Sequence, residues 1–192
     1  MTFEEIYQDL EGRLSKKRFR HVCGVVKAAE ALAKRYGANV EQARLAALLH
    51  DCAKEEPLDT MQAIVKVEGL QLDSVMLNSG ALLHSEAGAV LAKTRYGIDD
   101  PAICEAIRLH TVGKPHMTTL DKIVFLADYI EENRDFPGVD LIRAKAKEDL
   151  NEGVLAGYDT TLAHLLETRL SIYEPTVVSR NALLEEMKNI NR

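Results

Sequence analysis

Apolar residues recur along almost the whole chain at spacings of three and four, the period of helices with one face turned inward. The first stripe is Phe3, Ile6, Tyr7, Leu10 and Leu14. Thr2-Phe3-Glu4-Glu5 opens it, with Thr and Glu side chains placed to satisfy free backbone N–H groups. Ser15 can cap the next helix, which carries Phe19, Val22, Val26, Ala29, Ala33 and Tyr36 and stops at Gly37. Asn39-Val40-Glu41-Gln42 is a similar start for a third. Pro57 breaks the chain, and Asp59 to Gln62 predicts a short helix with Ile64, Val65 and Val67 inward, closed by Gly69. Residues 70–80 read as a loop punctuated by Ser79-Gly80.

Further helices are expected over 81–96, ended by Gly97, and from Asp100-Pro101, an N-cap followed by proline. Thr119 starts another through Leu120, Ile123, Val124 and Ala127, and Pro137-Gly138 makes a turn. Helices over 140–169 and 176–189 finish the chain, separated by Glu174-Pro175. No stretch reads as a strand. The expectation is an all-α, compact single-domain bundle of seven to ten helices over residues 1–192.

One stretch breaks the amphipathic rule. Leu45 to Leu49 is apolar at every position and runs straight into His50-Asp51, with Lys54 three residues further on. A helix apolar all round belongs in the interior, so this one carries an imidazole and a carboxylate inside the fold. A buried carboxylate needs a compensating partner, and a divalent metal is one.

The other histidines and aspartates fall into a pattern. His21 sits among Phe19, Val22 and Val25; His84 follows Ala81-Leu82-Leu83; His110 is in line with Ile103, Ala106 and Ile107; Asp128 follows Phe125-Leu126-Ala127. Each alone is an ordinary hydrogen-bonded core residue. Together, four of the six histidines interrupt the apolar stripes of different helices, and convergence would make a metal site of nitrogen and oxygen ligands. His116 and His164 lack this setting and read as surface or packing residues.

Composition narrows the partners. Hydrophobic residues make up 46% and charged residues 28%, which fits a folded globular chain. No apolar run is long enough for a transmembrane helix, and the acidic N-terminus is unlike a signal peptide, so a cytoplasmic protein without membrane association is expected. The net charge of −6 argues against a nucleic-acid surface. An anionic substrate would have to be met locally, by metal or by cations such as Arg18, three residues before His21, and Lys54. Three widely spaced cysteines, Cys23, Cys52 and Cys104, make neither a disulfide framework nor a thiolate metal site.

The order His21, His50-Asp51, Asp128 resembles the ligand set of the HD-domain superfamily of metal-dependent phosphohydrolases. More narrowly, Leu48 to Lys54, Leu83-His84, His110 to Gly113, Leu126 to Glu131, Arg134 to Val139 and Pro175 to Asn181 are similar to the bacterial symmetrical diadenosine tetraphosphatase family. Where that family often has Pro-Gly before its Arg, this chain has Glu132-Asn133, which should loosen the turn while keeping Arg134.

The resemblance implies a divalent metal, iron in this family, mono- or dinuclear, held by His21, His50, Asp51 and Asp128. It places Asp51, Lys54, His84 and His110 in the chemistry. The nucleotide would meet Arg18, Asp51, Cys52, Ala53, Lys54, His84, His110, Thr111, Arg134 and the segment Ser171, Ile172, Tyr173, Glu174, Pro175 and Thr176. The implied reaction is metal-assisted hydrolysis of diadenosine tetraphosphate to two ADP. A homodimer is compatible with this reading. The alternatives are an HD-type nucleotidase for another substrate, a non-catalytic nucleotide or metal sensor, and a helical adaptor with structural histidines.

Overall fold

The computed structural model describes residues 1–190, and among them eleven helices and no strand. In chain order these are α1 (Phe3–Arg13), α2 (Lys16–Tyr36), α3 (Val40–Leu49), α4 (Leu58–Val67), α5 (Ser74–Leu77) and α6 (Gly80–Thr94). Then follow α7 (Pro101–Leu109), α8 (Thr119–Ile130), α9 (Val139–Glu148), α10 (Leu150–Glu167) and α11 (Glu174–Ile190). None is long and apolar enough to cross a membrane.

The helix starts follow the capping chemistry. Thr2 and Glu5 form a reciprocal capping box, Asn39 accepts from Glu41 and Gln42 N–H, and Asp100 accepts from Ala102 N–H ahead of Pro101. Each such cap contributes on the order of 1 kcal/mol. Ser15 caps α2 and also donates its N–H and hydroxyl to Glu55 at 2.7 and 2.6 Å. That pair ties the start of α2 to the turn following α3. At the other end of α2, Gly37 adopts the left-handed conformation (φ 68°) that closes the helix.

The core sits around α3. Ala43, Ala46, Ala47, Leu48 and Leu49 are all fully buried, and the helix packs against α2, α7 and α8. Burial of each leucine contributes roughly 2 kcal/mol. α6 packs on α4 and α7, α10 on α8 and α9. The ends of α3 and α7 and the flanks of α2, α6 and α8 therefore meet at one interior place.

Several boundaries differ from the sequence expectation. The 70–80 stretch contains α5, which Asp73 caps by accepting from Val75 and Met76 N–H. In α4, Met61 and Val65 face inward but Val67 is exposed, because the helix starts at Leu58 and its last turn leaves the core. The cap of α8 is Thr118, paired with Asp121, one residue before Thr119. The 140–169 stretch is two helices: Asp149 turns extended (φ −151°, ψ 146°) and caps α10 through Asn151 and Glu152 N–H. Gly153 allows the reversal, since a Cβ there would lie 2.9 Å from the Ala146 backbone and from Leu126. Glu174 and Pro175 lie inside the first turn of α11, where a proline lacks no helical hydrogen bond.

Candidate metal centre

His50 is the C-cap of α3, and His110 is the C-cap of α7. The two rings behave alike. His50 Nδ1–H donates to Ala47 O and His110 Nδ1–H to Ile107 O, each at 2.7 Å. This fixes the tautomer and turns each Nε2 lone pair inward. His84, on α6, directs Nδ1 at Gly80 O, 3.2 Å away. His21, on α2, donates Nδ1–H to Glu131 Oε1 at 3.2 Å.

Four Nε2 atoms thus converge on two carboxylates. Asp51 divides them: Oδ2 lies 3.3 Å from His50 Nε2 and 3.7 Å from His21 Nε2, while Oδ1 lies 3.3 Å from His84 Nε2 and 3.7 Å from His110 Nε2. Asp128, from α8, brings Oδ1 to 2.9 Å from His21 Nε2 and 3.9 Å from His50 Nε2. The ligand atoms fall into three overlapping groups, each within 4.8 Å: His21, His50 and Asp51; His50, His110 and Asp128; Asp51, His84 and His110.

The donor set fits a divalent cation. His21 Nε2 and His50 Nε2 are buried without a hydrogen-bond partner. With their Nδ1 protons committed, these lone pairs face carboxylate oxygens, an acceptor-to-acceptor arrangement that a cation satisfies. Imidazole and carboxylate suit first-row divalent ions. The thiols are not recruited: Cys52 turns Sγ toward Gly88 O at 3.6 Å, and burial pushes its pKa up to about 12.

The titration of these groups reflects the same crowding. Burial opposes charge on Asp51, yet His50, His110 and His84 hold its carboxyl well below the usual range. Burial likewise opposes ionisation of Asp128, where His21 and Arg134 prevail and hold the carboxyl far down. At His50, burial disfavours the charged ring but the neighbouring Asp51 charge raises its pKa. At His84, burial dominates and lowers the ring to about 4.

Three cations surround the carboxylates. Arg18 Nη1 pairs with Asp51 Oδ2 at 2.7 Å, Arg134 donates to Asp128 Oδ1 and to its carbonyl, and Lys54 Nζ lies 3.2 Å from His84 Nε2. Burial lowers the Lys54 pKa despite the Asp51 and Asp128 charges. Thr111 Oγ1 sits 3.2 Å from His110 Nε2 and 3.4 Å from His84 Nε2. A cleft of about 470 Å³, lined in part by Lys17, Arg18, Arg20 and Arg134, opens beside His21.

Other expected contacts are placed elsewhere. The Cys52 and Ala53 side chains are buried in the core, so only their backbone can face a ligand. Ser171 is exposed, Ile172 to Pro175 lies against the start of α5, with Tyr173 donating its hydroxyl proton to Asp73, and Thr176 is buried. Among the described residues, no side chain of that segment hydrogen-bonds to the metal cluster. His116 is exposed and pairs with Glu186, and His164 is exposed on α10.

The sequence reading missed Glu131, 2% exposed and holding His21. Its signal was the i, i+3 spacing from Asp128, just after the apolar run Ile123 to Ala127. Gly24 belongs with it, because a Cβ at Gly24 would overlap the Glu131 carboxylate. The Glu132-Asn133 turn is not loose. Asn133 donates from its backbone and side chain to Glu131 Oε2 at 2.7 and 2.9 Å, and Arg134 N–H donates to Glu131 O at 3.0 Å.

The HD domain model matches residues 18–133, more than half of the chain, and spans His21, His50-Asp51 and Asp128. The chain belongs to the HD domain family. It is 40% identical over 94% of its length to the symmetrical bis(5'-nucleosyl)-tetraphosphatase of Halalkalibacterium halodurans, covering 96% of that protein. It is 36% identical to the protein of the same name from Bacillus subtilis, over 96% of this chain and 98% of that one. Its fold matches a crystal structure of a predicted HD superfamily hydrolase involved in NAD metabolism from Clostridium acetobutylicum. There the TM-score is 0.93 and the identity 39%, over 97% of this chain and 98% of that one. The HD assignment fits the divalent-metal reading of the His and Asp cluster in this chain.

Proposed function

We propose that this protein is a metal-dependent hydrolase that splits diadenosine tetraphosphate at its midpoint into two ADP. The observation that carries the reading is the convergence of four histidine Nε2 atoms on Asp51 and Asp128, ringed by Arg18, Lys54 and Arg134. The relatives named symmetrical bis(5'-nucleosyl)-tetraphosphatases support the choice of substrate.

His21, His50, Asp51 and Asp128 would hold a metal, iron by the family resemblance, and Asp51 Oδ1 with His84 and His110 offers a second position. A bound divalent ion lowers the pKa of a coordinated water toward neutrality and polarises a phosphoryl oxygen. Glu131 keeps the His21 lone pair aimed inward, and the helix carbonyls do the same for His50, His84 and His110. Arg18 and Arg134 bind phosphate oxygens and hold the chain in line, supplying the local positive charge that a net charge of −6 otherwise lacks. Lys54, close to His84, adds a third cation on the opposite side of Asp51. His84, with its depressed pKa, offers a lone pair and not a proton at neutral pH. His110, oriented by Ile107 O and next to Thr111, likewise turns its Nε2 lone pair toward Asp51.

The test is product analysis after anaerobic loading with Fe(II), with diadenosine tetraphosphate as substrate and His50→Ala as control. ADP as sole product, lost in the control, is the expected result. AMP plus ATP would overturn midpoint cleavage, and no product would overturn the substrate assignment.

A further inference from the structure

Cleavage at the midpoint leaves a nucleoside diphosphate on each side of the scissile P–O–P bridge, so the substrate needs two nucleoside places flanking the metal centre. The segment Ile172 to Pro175 lies against the start of α5, which packs on α6, the helix of His84. That is the Asp51 Oδ1 side. On the Asp128 side, a cavity of about 550 Å³ opens between the end of α8, the turn before α9, and α10. Its volume is ordinary for a small-molecule site.

We propose that this cavity, bounded by Asp128 and Arg134 at one end and by Phe136 and α10 at the other, binds the second nucleoside. The proposal rests on the tetraphosphatase reading. Tyr129, Phe136 and Pro137 give the cavity aromatic and apolar walls suited to a planar base. Thr160, Thr161 and His164 add hydrogen-bonding groups along α10.

The charge pattern selects the nucleoside over the phosphates. Among the lining residues the cation is Arg134, already paired with Asp128, and Glu167 adds a negative charge. The adjoining cleft of Lys17, Arg18 and Arg20 is the cationic one, and Arg134 lines both. A nucleoside diphosphate can thus lie with its base on Phe136 and its phosphates passing Arg134 toward Arg18.

The wall is built, not incidental. Gly138 takes a left-handed conformation (φ 97°), and a Cβ there would lie 3.2 Å from Thr160. The Phe136-Pro137-Gly138 turn is thereby seated close on α10.

The experiment is calorimetric titration of the metal-loaded full chain with ADP and, separately, with inorganic pyrophosphate. The parent protein is compared with Phe136→Ala, which removes the stacking ring, and Ala163→Trp, which fills the cavity from an exposed position on α10. The parent is expected to bind two ADP per chain. In both variants one of these sites weakens roughly 10- to 100-fold, while pyrophosphate affinity stays within about twofold, the range expected when the phosphate contacts are intact. Two ADP at parental affinity in both variants, a single ADP in the parent, or a pyrophosphate loss that tracks the ADP loss each overturns the proposal. If the parent fails to split diadenosine tetraphosphate, the activity reading falls on that assay alone, and the ADP titration still decides the cavity.

Discussion

The Nε2 atoms of His84 and His110 face each other at 3.0 Å, while each Nδ1 is directed at a helix carbonyl. Two lone pairs at that distance repel unless a proton or a cation lies between or beside them. Asp51 Oδ1, 3.3 and 3.7 Å from the two nitrogens, completes a three-donor set distinct from that of His21, His50 and Asp128. Metal titration followed by elemental analysis is therefore expected to give two equivalents per chain. His84→Ala and His110→Ala should each keep one, and Asp51→Ala should weaken both. Two equivalents retained in His110→Ala would remove that residue from the ligand set.

Glu131 acts on the ligand His21 and not on the metal position itself. Glu131→Gln keeps the shape but weakens the charge-assisted hold on Nδ1, and is expected to lower metal affinity roughly 10- to 100-fold. Competition against a calibrated chelator measures this directly. Gly24→Ala reaches the same group from the opposite side, since its new methyl would occupy the space of the Glu131 carboxylate. Overpacking of this kind costs about 1–3 kcal/mol, visible as a lower midpoint in denaturant. Metal affinity should fall in step.

The cations differ in how directly they are committed. Arg18 and Arg134 already neutralise Asp51 and Asp128, whereas Lys54 faces a histidine. Removal of any one should lower kcat/KM roughly 10- to 100-fold, the loss of one or two charge-assisted contacts to phosphate. Arg18→Ala and Arg134→Ala should also disturb metal content, and Lys54→Ala should leave it unchanged. Steady-state kinetics with metal analysis on the same samples separates the two effects.

Acid should destabilise the metal-free protein through His84. Its ring titrates at about 4 in the folded state, from burial, against an ordinary value of about 6.5 when unfolded. As pH falls through 6.5 the unfolded chain gains the proton first, so the stability contributed by this group is complete above 6.5 and is lost down to about 4. The loss is on the order of 3 kcal/mol at most. Urea unfolding of the chelated protein at pH 7 and pH 5, compared with His84→Gln, isolates it. A stability gap between the two proteins that does not change with pH would contradict this account.

Much of the fold was legible because its signals are local. Thr2, Ser15, Asn39 and Asp100 announce helix starts within three residues, and the unbroken apolar run before His50 announces a buried helix. The split at Asp149 was not read. Its cap lies inside a run of good helix formers, and the reversal depends on Gly153 meeting Ala146, a contact between two helices. The same distinction holds at the site. Histidines that interrupt apolar stripes stand out, whereas Glu131 is an ordinary acidic residue until the packing of Gly24 shows what it faces. The placement of Ile172 to Pro175 against α5 depends on Tyr173 meeting Asp73, 100 positions apart in the chain, and local pattern carries no trace of that.

His50 and His110 are at once helix ends and candidate ligands, each ring tethered to a carbonyl of its own last turn. A side chain with both duties makes the end of a helix part of the coordination geometry. Anything that frays α3 or α7 swings a nitrogen out of the centre, and anything gripping that nitrogen holds the last turn shut. Occupancy of the centre should then be readable at the backbone, as slowed amide exchange in the closing turns of α3 and α7.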